Sequence, residues 1–198
     1  WGGFKPQAEI ALQMGMQGLG YMHSDLGGFA GGEEPNAELY TRWLQYGVFQ
    51  PIYRPHAQEH IPAEPVFWDD KTKELARKSI DLRYRMLPYN YTVAFQNNQR
   101  GLPFMRPLFF EEMDNADLLE VSDTYFWGDD LVISPVLEAG MKQQEVYLPK
   151  GSTWFDFHNG KQYEGGKKHQ IALSEENIPV FARAGSFIPM AVSMQNTS

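Results

Sequence analysis

The pattern of the chain changes at Gly101, and that change constrains the fold more than any single residue does. Before Gly101, stretches with helical spacing alternate with two short apolar runs. Pro6 to Met16 reads as a helix: Pro6 suits the first turn, Ile10, Leu12, Met14 and Met16 supply apolar positions, and Gly15 and Gly18 end it. Leu19 to Met22 follows as a short buried strand. Glu33 to Asn36 reads as a loop into a second helix, Ala37 to Tyr46, with Asn36 as N-cap and Gly47 as its stop. Val48 to Tyr53 is the second apolar strand and ends at Arg54-Pro55-His56. After a loop with Pro62 and Pro65, the longest helix starts at Asp69 or Asp70 and runs to about Asn98; Pro88 must kink it or split it.

This order, helix–strand–helix–strand–helix, implies parallel strands joined by crossover helices. Two strands neither close a barrel nor make a stable parallel sheet alone. Residues 1–101 therefore read as roughly a quarter of an eight-stranded (β/α) barrel, its last two strands and their helices. After Gly101, short strand-like runs alternate with turns: Leu108–Phe110, Asp130–Pro135, Gln144–Leu148, Thr153–Phe157, His169–Leu173, Val180–Ala182 and Ser186–Pro189. A spacing of roughly ten residues suggests an antiparallel β-sandwich over residues 102–198, with a frayed tail from Gln195 to Ser198. The expected fold class is thus α/β plus all-β, the C-terminal part of a TIM barrel followed by a β-sandwich.

A formal charge of −8 without a basic cluster argues against nucleic acid or an anionic membrane as partner. The apolar runs are far shorter than the ~20 residues a membrane span needs. The absence of Cys excludes disulfides and thiolate metal sites. Aromatic residues make up 14% of the chain, and sugar rings stack on such surfaces, although core packing accounts for most of them.

The chemistry concentrates between Gly18 and Gly32. A short apolar segment stops at one carboxylate, Asp25, and opens into a loop with Gly27, Gly28, Gly31 and Gly32. A strand ending in an acidic residue at a pliable loop is how a barrel presents a residue on its catalytic face. The second strand end carries Arg54 and His56, and on a barrel both ends share that face. An imidazole hydrogen-bonds a sugar hydroxyl through either nitrogen. His56-Ala57-Gln58-Glu59-His60 also matches the H-x-x-E-H zinc pattern, but Pro55 and Pro62 leave barely one helical turn, so no metal site is expected.

His23-Ser24-Asp25-Leu26-Gly27-Gly28-Phe29 resembles the G-x-D-I-G-G-F segment of glycoside hydrolase family 31, the retaining α-glucosidases and their relatives, departing at His23 and Leu26. Arg83–Tyr89 resembles that family's R-Y-R-L-L-P-Y, and Gly101–Phe109 its G-L-P-V-M-R-P-L-F. Gly128–Val136, Val146–Asp156 and Ile178–Pro189 resemble three segments of its sandwich domain. The resemblance implies that Asp25 and His56 bind hydroxyls of the sugar in the −1 subsite, that Phe29 forms an apolar wall and that Ala30 lies near the leaving group. It implies an α-linked oligosaccharide substrate, no metal or organic cofactor, and a periplasmic or secreted setting. His23–Phe29 and Gln50–Ala57 look most like the oligosaccharide 4-α-glucosyltransferase branch, with α-xylosidases as a further alternative.

Retaining hydrolysis needs two carboxyl groups about 5–5.5 Å apart. In the family they end barrel strands four and six, and Trp1 resembles the Trp that follows the second of them. Both are therefore expected upstream, no catalytic residue is assigned here, and the isolated chain is expected to be inactive. The upstream part of the same barrel is its expected partner. Asp129 and Asp130 are expected to be structural. A non-catalytic carbohydrate-binding module is the rival class; no alternating row of exposed aromatics supports it.

Overall fold

A computed structural model describes residues 1–31 and 34–192. Glu33 of the expected loop and the tail from Gln195 to Ser198 lie outside the described residues. The helices are α1 (Lys5–Met16), α2 (Ala37–Gly47), α3 (Asp70–Arg85) and α4 (Leu87–Arg100). Local chemistry sets their ends. Asn36 caps α2 by accepting from the Leu39 amide at 2.8 Å, and Asp69 caps α3 through the Thr72 amide at 3.0 Å. The expected long helix breaks at Met86, where Pro88 falls in the first turn of α4. Gly101 ends α4 at φ 71°, a left-handed conformation that glycine adopts without strain.

Neither strand expected before Gly101 forms among the described residues. Leu19–Met22 is irregular, with Leu19 52% and Tyr21 58% exposed. An apolar run becomes a strand only by pairing, and the sole pairing here is a parallel bridge further on, Leu26 to Pro55. The run Val48–Tyr53 starts as a turn: the amides of Phe49 and Gln50 donate to the carbonyls of Tyr46 and Gly47 at 3.0 and 3.1 Å. Val48 and Phe49 are buried, but in the turn that follows α2 rather than in a strand.

The second half contains β1 (Met105–Pro107), β2 (Tyr125–Trp127), β3 (Leu131–Ile133), β4 (Gln143–Leu148), β5 (Thr153–Asp156), β6 (Gln162–Glu164), β7 (Lys167–Ala172) and β8 (Val180–Arg183). All ladders are antiparallel: a six-stranded sheet ordered β1-β2-β3-β8-β5-β6, and a separate β4-β7 pair. Leu108–Phe110 is a 3-10 turn rather than a strand, because Glu111 N–H closes back on the Leu108 carbonyl at 3.1 Å. Ser186–Pro189 joins no ladder.

Strand periodicity explains the layering. Phe126, Val132, Trp154 and Phe181 project to one side of the large sheet and pack with Val146, Leu148 and Ile171 of the β4-β7 pair. Tyr125, Trp127, Leu131, Ile133 and Val180 project to the other side and join a core with Phe4, Leu12, Leu44, Met86 and Val93 of the helices. One core therefore spans Gly101. Polar bonds cross it too: Tyr125 Oη donates to the Phe49 carbonyl at 3.0 Å, and Trp127 Nε1 to Asn90 Oδ1 at 2.9 Å.

Candidate functional site

Two segments, 23–29 and 52–58, run side by side in the same direction. The Leu26 amide donates to the Arg54 carbonyl at 3.2 Å, and the Gln58 amide to the Phe29 carbonyl at 2.9 Å. Along the first segment the side chains alternate. Ser24 and Leu26 are buried, whereas His23 and Asp25 are partly exposed. Ser24 Oγ accepts from Trp43 Nε1 of α2 at 2.9 Å and from Gln50 Nε2 at 3.1 Å, which fixes the backbone beneath Asp25.

Above that anchor, Asp25 Oδ1 receives two donors, His23 Nε2 and Arg54 Nη2, each at 3.1 Å. The Asp25 side chain is 28% exposed and that of Arg54 55% exposed, so the pair is held at the surface. The rings of Phe29 and His56 lie 5.5 Å apart at 43°. Both residues are exposed, as is Ala30, next to Phe29 in the chain. Asp25, Phe29 and His56 are thus gathered on adjacent parallel segments, leaving a carboxylate, an imidazole and an apolar ring open to a ligand. The segment after His56 is irregular and then turns, with His60 at φ 77°, so the H-x-x-E-H spacing lacks the helix that would bring both imidazoles to one metal.

The glycines of this loop answer a steric need. Gly27 and Gly28 have φ of +93° and +96°, and a Cβ on Gly27 would lie 2.6 Å from the Tyr40 ring. Replacing Gly27 by Ala should cost about 3 kcal/mol, from the strained conformation and the overlap together. Denaturant unfolding of this variant checks the value; a loss below roughly 1 kcal/mol would show that the loop relaxes freely.

Arg83 and His23 are the residues whose roles the sequence left unread. Arg83, in α3, donates through Nη1 to the carbonyls of Val48 and Gln50 at 2.8 and 2.6 Å, and through Nη2 to that of Pro51 at 2.9 Å. Burial pushes its guanidinium down to about 10, opposed by the neighbouring Tyr53, so it stays charged at neutral pH. The signal for His23 was its spacing: residues two apart on an extended segment share a face.

Asp129 and Asp130 are structural. Asp129 pairs with Arg106 and accepts from Gln96, and Asp130 accepts from Ser186 Oγ at 2.7 Å. A cavity of about 510 Å³ lies elsewhere, where α3 meets the sheet domain, lined by Lys78, Asp81, Arg85, His158 and Glu176 among others. Burial pushes the His158 ring below the usual histidine range, against the pull of Asp156, and its Nε2 lies 3.1 Å from the Ile178 carbonyl. That ring is a structural donor, so concavity alone does not locate the chemistry.

A helical half and an antiparallel sheet half thus share one core, with polar side chains gathered on two neighbouring parallel segments. Residues 1–93 match the glycosyl hydrolases family 31 TIM-barrel domain, and residues 101–188 match the glycosyl hydrolase family 31 C-terminal domain. The chain belongs to glycoside hydrolase family 31. It is 36% identical over 190 residues to a probable glucan 1,3-alpha-glucosidase of Oryza sativa subsp. japonica, covering 96% of this chain and 20% of that protein. It is 33% identical over 193 residues to an alpha-xylosidase of Saccharolobus solfataricus, covering 96% of this chain and 26% of that protein. Among solved structures, the Flavobacterium johnsoniae family 31 dextranase complexed with glucose superposes with a TM-score of 0.92 at 34% identity, over 97% of this chain and 24% of that one. The chain spans about a fifth to a quarter of the length of these proteins.

Proposed function

We propose that this chain is the C-terminal part of a retaining α-glycosidase, holding the end of the barrel (residues 1–101), whose last two strand positions are extended segments joined by the Leu26–Pro55 bridge, and the adjoining β-sandwich (102–198). In this reading Asp25 and His56 bind hydroxyls of the sugar in the −1 subsite, Phe29 walls the pocket and Ala30 lies near the leaving group. The observation that carries the reading is the parallel pairing of Leu26 with Pro55, which sets Asp25 and His56 on neighbouring segments beside the Phe29 ring. The preferred substrates are α-linked glucosides. The glucosidase, xylosidase and dextranase among the relatives support an α-glycoside and differ in the sugar they are named for.

The chemistry follows from what these side chains supply. A carboxylate accepts hydroxyl hydrogens, and the imidazole offers a donor or an acceptor. Hydrogen bonds to sugar hydroxyls hold the anomeric carbon in line for attack, and those that tighten in the transition state lower the barrier. The nucleophile and the acid/base lie in the upstream part of the barrel. The glycosyl intermediate passes either to water or to a second sugar, so hydrolysis and transglycosylation use the same residues here.

The pure 198-residue chain should turn over neither maltose nor maltotriose, while the full-length enzyme acts on an α-glucoside. Product analysis by chromatography tests both. Turnover by the pure chain would overturn the placement of the catalytic carboxylates upstream.

A further inference from the structure

The resembling family pattern has Gly where this chain has His23, and the structure gives that imidazole two partners. Its Nδ1 lies 3.3 Å from the Ile52 carbonyl, and its Nε2 lies 3.1 Å from Asp25 Oδ1. Asp25 Oδ1 is an acceptor, and the tautomer with its N–H on Nε2 donates to it. Its side chain is only 17% exposed, which holds it between the two segments. Arg54 Nη2 approaches the same Asp25 oxygen at 3.1 Å from the opposite segment. Among the described residues no donor reaches Oδ2.

We propose that His23 is a positioning residue for sugar binding: with Arg54 it saturates Oδ1 of Asp25, fixes the carboxylate plane and reserves Oδ2 as the acceptor for one sugar hydroxyl. A free aspartate rotates about its terminal torsion and offers either oxygen. Holding one oxygen with two charge-assisted bonds removes that freedom before the sugar arrives. The inference rests on the reading of Asp25 as a sugar-binding residue and adds to it a residue that touches no sugar.

The two nitrogens of the ring separate a positioning role from a structural one. A glutamine at position 23 carries its amide nitrogen about as far from the backbone as Nε2 and keeps the donor to Asp25. An asparagine carries it near Nδ1, toward the Ile52 carbonyl, and loses the donor to Asp25. The test is made in the full-length enzyme, on whichever of p-nitrophenyl α-D-glucoside and p-nitrophenyl α-D-xyloside the wild type turns over faster. His23→Gln should keep kcat/KM within about threefold, while His23→Asn and His23→Gly should lower it roughly tenfold. In an Asp25→Asn background, His23→Asn should lower it by less than about twofold more, because the two residues act through one carboxylate.

Asparagine rescuing while glutamine does not, or losses that multiply across the double variant, would assign His23 a purely structural role and overturn the proposal. Unchanged kcat/KM in His23→Asn overturns it as well. Should His23→Gly fail to fold, the glutamine–asparagine contrast decides. If Asp25→Asn leaves kcat/KM unchanged, the reading of Asp25 itself fails, and the inference fails with it.

Discussion

Replacing Asp25 by Ala in the full-length enzyme should lower kcat/KM on an α-glucoside roughly a thousandfold, with little loss of thermal stability. The magnitude follows from matched polar groups at a substrate hydroxyl: a site built to bond that hydroxyl discriminates strongly, because the unmatched partner is left stranded. The small stability change follows from the site itself. Asp25 is partly exposed, and its two donors, His23 and Arg54, hold it as a surface cluster rather than a core pair. The backbone beneath it is fixed by Ser24, Trp43 and Gln50, none of which the substitution touches. Steady-state kinetics and thermal unfolding of the same preparation test the pair of statements. A fall in activity that tracks a fall in Tm would mean that Asp25 supports the fold and not the sugar.

The second large effect lies away from the sugar. Arg83→Met should destabilise the chain by about 4 kcal/mol, because three carbonyls of the turn after α2 lose one charged donor group in a partly buried place. Arg83→Lys should cost about half as much: an ammonium supplies donors but cannot span the three carbonyls with a planar fork. Urea unfolding followed by tryptophan fluorescence gives both values, and near-equal losses would argue against the fork geometry. The turn leads directly into the segment bearing Arg54 and His56. Arg83→Met should therefore also weaken sugar binding in the full-length enzyme while touching no sugar.

How much of this was legible beforehand depends on where each signal is stored. The helices were readable because their signals are local: Asn36 and Asp69 cap as their positions predict, and Pro88 breaks the helix where its ring requires. The extended segments of the first half were over-read. Leu19–Met22 has strand-like side chains, but pairing is a property of neighbours and not of the run. Val48 and Phe49 pack the turn after α2 into the core. In the second half β2 escaped notice, because Tyr125, Phe126 and Trp127 are buried on both faces of a middle layer and show no alternation. β6 escaped for the opposite reason: it is a three-residue polar edge strand. The family resemblance proposed Asp25, Phe29, Ala30 and His56, and the fold sets Asp25, Phe29 and His56 on neighbouring segments. The anchoring of Asp25 by His23 and Arg54 required knowing that residues 23–25 and 52–54 are neighbours.

The most direct measurement is a crystal structure of the full-length enzyme with glucose or xylose bound. The account predicts a sugar whose hydroxyls lie within about 2.6–3.2 Å of Asp25 Oδ2 and of a His56 ring nitrogen, with its apolar edge toward Phe29. A sugar seated in the barrel with neither side chain in reach would contradict it.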